Sequence, residues 1–389
     1  MLEGVNVALG VSGSIAAVKT VELAHELRRH GAQVRAVTTD AATGIIHPWA
    51  LEFATEHGVV TEITGAVEHV ELCGRDGWAD VFLVAPATAN TVGKMAAAVD
   101  DTPVTTCATV ALGTDIPVVV APAMHEPMYD HPGVLASLDR LEEWGVDFAD
   151  PRLEEGKAKI AAEDDIVTEV ARAAGSTPLA GRHVVVTSGA TSERIDPVRT
   201  ITNRASGRTG RAVARACYVL GADVTLVHDG PDTVYATVEQ VESAAEMLDG
   251  VRAHADDADA LVSAAAISDY TVAPSEEKLR SGQELTLELE PTPKLIDTVG
   301  GEYPDLTVVG FKLETSGDDD ELVAKARETL DRAGLAFVVG NDASVLGDAE
   351  TRTLFVRGST ITEFVGSKDA LGIRVAEELA AELDDPDGG

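Results

Sequence analysis

The sequence has little cysteine, few aromatic residues and no long hydrophobic run. Its three cysteines form no CxxC pair, so neither a disulfide framework nor a zinc site is indicated. No apolar run approaches the roughly 20 residues that span a bilayer. The amino terminus, Met-Leu-Glu-Gly-Val-Asn, has neither the basic region nor the apolar core of a secretory signal. We therefore expect a cytoplasmic protein that does not act at a membrane.

Lysine is also scarce, at nine of the 30 basic residues, and the formal net charge is −36. Such a surface repels nucleic acid and anionic membranes. An acidic excess with little lysine is typical of halophilic proteins, because a salt-saturated cytoplasm screens most self-repulsion; an acidic mesophilic protein is the alternative. Local donors must draw in anionic substrates, so each Lys or Arg beside a glycine loop gains significance.

A length of 389 residues predicts two domains. Strands and helices alternate in the first half, which predicts a parallel sheet with right-handed crossovers. The predicted elements are strands at 5–9, 34–37, 81–85 and 118–121, a helix at 15–30 and a helix from Thr91. Ligands bind at the carboxyl ends of the strands in such sheets, and three unusual loops fall there.

The pattern restarts after a connector at 150–181. The predicted elements are strands at 183–187, 224–227, 260–265, 285–290, 307–311 and 337–340, a turn at 281–282, and helices at 207–220, 244–254, 320–333 and 368–383. The tail at 384–389 is too polar to pack and is predicted to be disordered. The fold class is therefore α/β, with two Rossmann-like three-layer domains at 1–175 and 181–384 and mainly parallel sheets.

The loop from Pro197 to Gly210 follows a predicted strand and runs into a predicted helix. α/β proteins build anion sites in this way, because the loop amides and the helix N-terminus point at the ligand. Arginines, an asparagine and a serine in the loop add specific donors. The sequence therefore predicts a polyanion site in the second domain.

Two loops of the first half are further candidates. The loop Gly10-Val-Ser-Gly-Ser-Ile15 lacks the third glycine of GxGxxG and the lysine of a P-loop, so a phosphate loop and an ordinary strand–helix turn carry similar weight. In Pro86-Ala-Thr-Ala-Asn-Thr91, small residues leave room for a flat ring, and hydroxyl and amide groups can fix it. Thr88 or Asn90 can also serve as a helix N-cap.

Two histidines are candidate catalysts. His69 lies in Glu68-His-Val-Glu71, and a lone histidine is more often a surface residue than a catalyst. His125 closes Pro122-Ala-Met-His125 at the ligand edge of a predicted strand, which favours a role in a site.

The motifs of the first half, taken in order, resemble the flavin-dependent cysteine decarboxylases. The series is Gly-Val-Ser-Gly-x-Ile-Ala-Ala, His-x-Glu-Leu, Pro-Ala-Thr-Ala-Asn and Pro-Ala-Met. The second half resembles phosphopantothenate–cysteine ligase. Its motifs are Thr-Ser-Gly-Ala-Thr-x-Glu (187–193), Asp-Pro-Val-Arg (196–199), Asn-Arg-Ala-Ser-Gly (203–207), Ala-Ala-Ile-Ser-Asp-Tyr (265–270), Glu-Lys-Leu-Arg (277–280), Val-Gly-Phe (309–311) and Asn-Asp (341–342). Over nearly the whole chain, the two halves together resemble the bifunctional enzymes of coenzyme A biosynthesis, in an archaeal-type form.

The resemblance implies that the second domain activates 4′-phosphopantothenate with CTP and joins the acyl-cytidylate to L-cysteine. It places Asn203 and Arg199 at the acyl-cytidylate and its phosphates, and Lys278 at the triphosphate; a solvated turn lysine is the alternative for Lys278. The residues that match the cytidine contacts are Ala265, Asp269 and Phe311. Phosphoryl transfer of this kind usually needs Mg²⁺, and the sequence does not identify its ligands. The further lysines of the family are absent here, and Lys325 or Arg332 is the candidate substitute.

The resemblance also implies that a flavodoxin-like first domain binds FMN and decarboxylates 4′-phosphopantothenoylcysteine to 4′-phosphopantetheine. It assigns His69 as the general base, a role that suits the pH range of histidine. The candidate residues around the flavin are Ser14, Thr39, Thr88 and Asn90. His125 stands where bacterial members have asparagine, and the segment 151–159 lacks their proton-donor cysteine. Lys157, Lys159 and His125 are candidates for that donor.

Two other classes of protein are weighed against this interpretation. A flavin-binding regulatory protein without catalysis is the alternative for the first half, but it need not keep Asn203, Asp269 and Lys278. An NAD-dependent dehydrogenase predicts a GxGxxG loop, which the first loop does not match. For assembly, the resemblance implies a homo-oligomer with trimeric flavin domains and dimeric ligase domains.

Overall fold

The computed structural model describes residues 1–280, 282, 284–314, 319–342 and 350–384. The chain divides into two compact units, Met1–Ser176 and Thr177–Gly389. One residue of the predicted turn, Ser281, and the tail 385–389 lie outside the described residues. Within the part of the chain that is described, no helix is long and apolar enough to cross a membrane.

The first unit contains eight strands and nine α-helices among its residues, all of which are described. The strands are β1 (Asn6–Val11), β2 (Gln33–Thr38), β3 (Val81–Ala87), β4 (Val118–Pro122), β5 (Met124–His125), β6 (Val146–Phe148), β7 (Arg152–Glu154) and β8 (Lys157–Lys159). The helices are α1 (Thr20–Arg29), α2 (Asp40–Thr43), α3 (Pro48–Thr55), α4 (Glu68–Cys73), α5 (Ala89–Ala96), α6 (Pro103–Gly113), α7 (Glu126–Tyr129), α8 (Pro132–Glu143) and α9 (Glu163–Ala174).

The central sheet of the first unit is fully parallel, in the order β2-β1-β3-β4-β6. Every residue of β3 and β4 is buried, because helices cover both faces of the sheet. Gly31, between α1 and β2, has φ +101°, and a Cβ there would lie 2.9 Å from Glu3 Cα. Glycine is therefore required where this helix turns back into the sheet. A small antiparallel sheet, β5-β8-β7, is formed by strands that precede and follow β6 in the chain.

The described part of the second unit contains twelve strands and five α-helices. The strands are β9 (His183–Thr187), β10 (Ser192–Arg194), β11 (Thr200–Thr202), β12 (Asp223–His228), β13 (Thr237–Gln240), β14 (Ala260–Ser263), β15 (Tyr270–Thr271), β16 (Glu290–Pro291), β17 (Thr307–Glu314), β18 (Phe337–Asp342), β19 (Glu350–Arg357) and β20 (Thr360–Ser367). The helices are α10 (Arg208–Val219), α11 (Ala244–Ala255), α12 (Leu295–Glu302), α13 (Asp319–Ala333) and α14 (Lys368–Asp384).

The main sheet of the second unit has the order β13-β12-β9-β14-β17-β18-β19-β20. Its first six strands are parallel, and β19 and β20 add an antiparallel hairpin at one edge. Valine and leucine side chains of β9, β12 and β14 pack against α10 and α14 on one face of the sheet. On the other face, α11, α12 and α13 cover a second cluster. Two parallel-sheet, three-layer α/β units are therefore present, which confirms the predicted fold class.

Two element predictions need correction, and the hairpin at the edge of the main sheet was missed. The predicted helix at 15–30 begins instead as a 3₁₀ helix, Ile15–Lys19, because the Ser14 side chain accepts a hydrogen bond from Ala16 N–H and caps it there. The predicted strand at 285–290 is wrong except for Glu290 in β16, since its leucines at 285 and 289 are about half exposed and have no core to enter. The hairpin β19–β20 was not predicted, although the β-branched and aromatic residues in Ile361-Thr-Glu-Phe-Val365 favour a strand.

Candidate functional site

Both main sheets reverse their strand order at an equivalent place. In the first unit β1 adjoins both β2 and β3, and in the second unit β9 adjoins both β12 and β14. Such a reversal opens a crevice at the carboxyl ends of the two central strands, where α/β proteins bind ligands. The loops after β1, β3, β9 and β14 carry most of the predicted site residues.

A buried serine joins the two central loops of the first unit. Ser12 Oγ donates a hydrogen bond to the Pro86 carbonyl at 2.7 Å and accepts one from Thr88 N–H at 3.1 Å. Thr88 is the N-cap of α5, since its side chain accepts from Thr91 N–H at 3.3 Å. The N-cap interpretation of Thr88 is thus confirmed, and the cap fixes its hydroxyl at the edge of the crevice.

The crevice of the first unit holds two cavities with volumes of about 640 and 430 Å³. Both cavities are lined by Gly13, Thr88 and Met128. The other residues that line the larger one are Ser14, Ile15, Ala16, Val18, Lys19, Ala123, Met124, His125, Arg152, Lys157, Ala158, Lys159 and Ile160. Those that complete the smaller one are Thr39, Asp40, Ala41, Asn90, Thr91, Lys94, Thr102 and Thr105. The structure therefore brings Ser14, Thr39, Thr88, Asn90 and His125 to one crevice.

The segment that replaces the cysteine loop is a tight hairpin, β7–β8, at the larger cavity. Its two turn residues, Glu155 and Gly156, both have positive φ (+53° and +69°), as a two-residue type I′ turn requires. β8 also pairs with β5, and this register sets Lys157 opposite His125. The three candidate proton donors therefore line one wall.

The two hairpin lysines differ in their surroundings. Lys159 Nζ donates to Glu155 at 2.9 Å and Glu154 at 3.1 Å. These hydrogen bonds raise the pKa of Lys159, and the bond to Glu155 has the larger effect. The Lys159 ammonium is therefore held in its protonated form. No carboxylate of the described residues pairs with Lys157. Lys157 is therefore the hairpin lysine whose charge is available to a ligand.

His69 is not brought to the crevice of its own unit. It lies in the first turn of α4 and lines neither cavity. The side chain is half-buried, and its Nδ1 is buried without a hydrogen-bond partner among the described residues. A buried, unpartnered ring nitrogen is costly, so this histidine has an unmet hydrogen-bonding requirement.

The predicted polyanion loop of the second unit ends at the N-terminus of α10. Gly207 is the N-cap, with φ +66° and no side chain to cap the helix. Its carbonyl accepts from Ser188 Oγ at 2.9 Å, and a Cβ at this position would lie 2.9 Å from Gly189 N. Glycine is required by both the left-handed backbone and the close approach of the loop after β9. The first N–H groups of α10 are thereby left to face a ligand.

A buried carboxylate connects two distant parts of this site. The Asp196 side chain is fully buried and accepts from the N–H groups of Val198 (2.8 Å), Arg199 (2.9 Å) and Leu279 (3.1 Å). It also pairs with the Arg199 guanidinium, which donates to the Leu279 carbonyl at 3.2 Å. Burial opposes ionisation of Asp196, but these donors outweigh it and lower its pKa. Arg199 and the segment that carries the exposed Lys278 are thus held together.

Asn203 joins the loop before α10 to the loop after β14. Its Nδ2 donates to the carbonyls of Ala266 (3.1 Å) and Ile267 (3.2 Å). Ala265 N–H in turn donates to Thr187 Oγ1 at 3.2 Å, which fixes the same loop to β9. Because both amide hydrogens are used within the protein, the Asn203 carbonyl oxygen is the atom left to accept from a ligand.

The remaining predicted residues of the second unit are less closely grouped. Asp269 is exposed and forms an ion pair with Lys294. Phe311, in β17, is half-buried and packs on the core beneath α10. Lys325, in α13, pairs with Glu321 one turn earlier at 3.0 Å.

The sequence did not reveal the roles of Asp196 and Lys294. Asp196 stood within the motif Asp-Pro-Val-Arg, and an acid beside a polyanion loop was the available signal. Lys294 follows Pro-Thr-Pro, and the only signal for a role in a site was that lysine is scarce in this sequence.

Two protein families match the chain and together span nearly all of it. The family described as "Flavoprotein" matches residues 1–175, and the "DNA/pantothenate metabolism flavoprotein C-terminal domain" matches residues 179–383. The chain is 48% identical over 362 residues to the coenzyme A biosynthesis bifunctional protein CoaBC of Thermococcus kodakarensis, covering 91% of this chain and 89% of the relative. It is 35% identical to the CoaBC of Methanocaldococcus jannaschii, covering 97% and 94%.

Among solved structures, the C-terminal domain of a coenzyme A biosynthesis bifunctional protein CoaBC is similar, with a TM-score of 0.47 and 28% identity. It covers 54% of this chain and 100% of that domain. At this score the structural likeness adds nothing to the sequence relationship.

Proposed function

The chain belongs to the family of bifunctional coenzyme A biosynthesis proteins, and on that basis we propose which of its residues serve each reaction. It is an enzyme that joins phosphopantothenate to cysteine and decarboxylates the product. We assign decarboxylation to residues 1–175 and ligation to residues 181–384. A regulatory protein without catalysis is not favoured, since the relatives are bifunctional along their whole length.

The first unit is a flavoprotein, and its two adjoining cavities suit FMN. The smaller cavity offers a wall of threonine hydroxyls and the Asn90 amide, which are donors for the polar rim and phosphate of a flavin. Its small residues Gly13 and Ala41 keep the floor flat enough for a ring. FMN supplies the two-electron chemistry that makes the substrate carboxylate a leaving group.

We assign the larger cavity to the cysteinyl end of the substrate. Ile15, Val18 and Met128 give it an apolar rim. His125 and Lys157 face each other across β5 and β8 and can bind the carboxylate. When CO₂ leaves, a proton must take its place on the same carbon. Lys157 is our candidate for that donor, because Lys159 is held protonated by two glutamates.

We assign His69 to the cavity of a second copy of the chain. His69 lines neither cavity of its own unit, and its Nδ1 lacks a partner among the described residues. Ile15 and Val18, at the larger cavity, are 79% and 56% exposed, so this rim suits an apolar contact with another subunit. A homo-oligomer with its flavin sites at subunit boundaries accounts for both observations.

For the ligase, the Asp196 contacts are the single observation that carries the assignment. They hold Arg199, which lies in the loop before α10 in the chain, together with the segment of Lys278. We propose that this cluster binds the phosphates of CTP with Mg²⁺. The substrate carboxylate attacks the α-phosphorus, pyrophosphate leaves, and the positive groups stabilise the charge that shifts onto oxygen.

We assign Asn203 to the second ligase step. Its free carbonyl oxygen can accept a hydrogen bond from the cysteine amine as that amine attacks the acyl carbon and CMP leaves. Ala265, Asp269 and Phe311 are assigned to the cytidine, and Lys325 to the triphosphate.

The experiment that tests both assignments is mass spectrometry of products from the purified protein with bound flavin. The reaction contains 4′-phosphopantothenate, L-cysteine, CTP and Mg²⁺ in high KCl. We expect 4′-phosphopantetheine and CMP. Accumulation of 4′-phosphopantothenoylcysteine would contradict the decarboxylase site, and ligation with ATP but not CTP would contradict the nucleotide assignment. The absence of any ligated product would overturn the ligase assignment.

A further inference from the structure

A third cavity, of about 340 Å³, lies beside α10 in the second unit. The residues that line it are Arg208, Arg211, Ala212, Arg215, Tyr235, Ser367, Lys368 and Asp369. Arg208 stands in the predicted polyanion loop, and the other lining residues have no role in the sites assigned above.

The charge of this cavity is opposite to that of the protein. Four of its five charged lining residues are basic, whereas acidic residues outnumber basic ones by 66 to 30 in the whole sequence. The surrounding acidic surface repels anions. A locally positive cavity is therefore the part of this surface where an anion can bind.

Most of this positive charge is not neutralised by the protein. Arg215 pairs with Asp369 at 2.8 Å, and Arg211 donates to the Ser206 carbonyl at 2.9 Å. No carboxylate of the described residues pairs with Arg208, Arg211 or Lys368. Three positive charges therefore face the cavity without a counter-charge.

The arginines also stand where a helix does not favour them. Arg208, Arg211 and Arg215 are spaced by three and four residues, so their like charges are neighbours on one face of α10. Arg208 and Arg211 lie in the first turn, whose N-terminal dipole disfavours cations, and no acidic residue is present in that turn. A bound anion would relieve both repulsions.

We propose that this cavity binds a phosphate group, either inorganic phosphate or a phosphate monoester. The planar forks of the arginines match two phosphate oxygens each, and Lys368 adds a point charge from the start of α14. The volume holds a phosphate with room for a small ester group. The cavity shares α10 with the proposed ligase machinery, whereas Lys368 of α14 belongs to the cavity alone.

The test is equilibrium dialysis of the full-length holoenzyme against ³²P-labelled orthophosphate at constant KCl. We expect Lys368→Gln to weaken binding about tenfold and Lys368→Glu to abolish it. The matched controls, Arg374→Gln and Arg374→Glu, change the same charges on the same helix outside the cavity and should bind like the wild type. Far-UV circular dichroism establishes that each variant is folded.

A further variant separates this site from the ligase site. Lys278→Gln should leave intact the part of phosphate binding that Lys368→Gln removes; loss in Lys278→Gln but not in Lys368→Gln would overturn the proposal. Equal losses in the Lys368 and Arg374 series would also overturn it, since binding would then follow net charge. Competition with glycerol 3-phosphate identifies the ligand class: stronger displacement than by orthophosphate indicates a monoester, and equal displacement indicates free phosphate.

Discussion

Asp196 organises a polyanion site although its own charge is negative and repels anions. Its side chain is fully buried, and its four donors come from residues 198 and 199 and from residue 279, more than 80 positions away. Such a carboxylate fixes the direction of Arg199 and the path of the Lys278 segment. In the proposed ligase it acts as a positioning residue, since it contacts the binding groups and not the ligand.

Replacing Asp196 by Asn should weaken ligation while leaving decarboxylation unchanged. The amide cannot accept from all four donors, so Arg199 and the 277–280 segment lose their alignment. We expect kcat/KM for CTP to fall about 10- to 100-fold. Exposed Asp256→Asn is the matched control, and an equal loss in both variants would remove the positioning role.

The same substitution carries a pH expectation. Because the pKa of Asp196 is lowered, its ionised form stabilises the fold above the ordinary value of about 3.9, and that contribution is lost only as the pH falls through the lower folded value. The Asp196→Asn loss of activity should therefore be the same at every pH from 5 to 8.

Replacing Asn203 by Asp should separate the two ligase steps. The carboxylate would face the carbonyls of Ala266 and Ile267, to which Asn203 now donates. We expect transfer to cysteine to slow about 100-fold and pyrophosphate release to slow much less, in a rapid-quench assay. If both steps slow equally, Asn203 does not serve the second step in particular.

Sequence patterns identified local roles better than distant contacts. The Thr88 cap and the N-terminus of α10 follow from neighbouring residues, and both were predicted. The joining of Asp196 to Leu279 and of Asp269 to Lys294 depends on loops that meet only after folding. The position of His69 away from its own crevice depends in turn on the path from β2 to α4, which no motif specifies.

The β7–β8 hairpin is the element that most changes the first site. It brings one paired lysine and one available lysine to the same wall, separated by a single residue. The length and turn of the hairpin were not apparent from its sequence, because Glu155 adopts a positive φ that is uncommon for glutamate.

These two lysines give a controlled comparison within one element. Lys157→Gln should lower kcat for decarboxylation about tenfold or more, and Lys159→Gln should have a small effect because its charge is already paired. CO₂ release from 4′-phosphopantothenoylcysteine is the assay, with CMP formation as the internal control. Equal effects of the two variants would contradict the role of Lys157.

At the scale of the whole assembly, the His69 assignment predicts rescue between copies. His69→Asn should abolish CO₂ release and leave ligation intact, and Asn90→Ala should impair the same reaction from the cavity side. Co-expression of the two variants should restore about one quarter of wild-type decarboxylation, since that share of sites combines both intact surfaces. If each site used the histidine of its own chain, no activity would return.

The carboxyl-terminal helix α14 closes the core of the second unit. Leu371, Val375 and Leu379 are buried with the side chains of β9 and α10. A chain that stops at Ser367 should therefore retain bound flavin, measured by absorbance, and lose CMP formation. Loss of flavin as well would show that the first unit does not fold without the last helix.

The position of α14 has a consequence for biosynthesis on the ribosome. The first unit has all of its residues by Ser176 and can fold while the rest of the chain is being made. The second unit lacks a complete core until α14 has emerged, so its parallel strands remain partly uncovered until that helix has been made. Chaperone binding to the nascent chain is therefore expected to concentrate on the second half, although the two halves share one architecture.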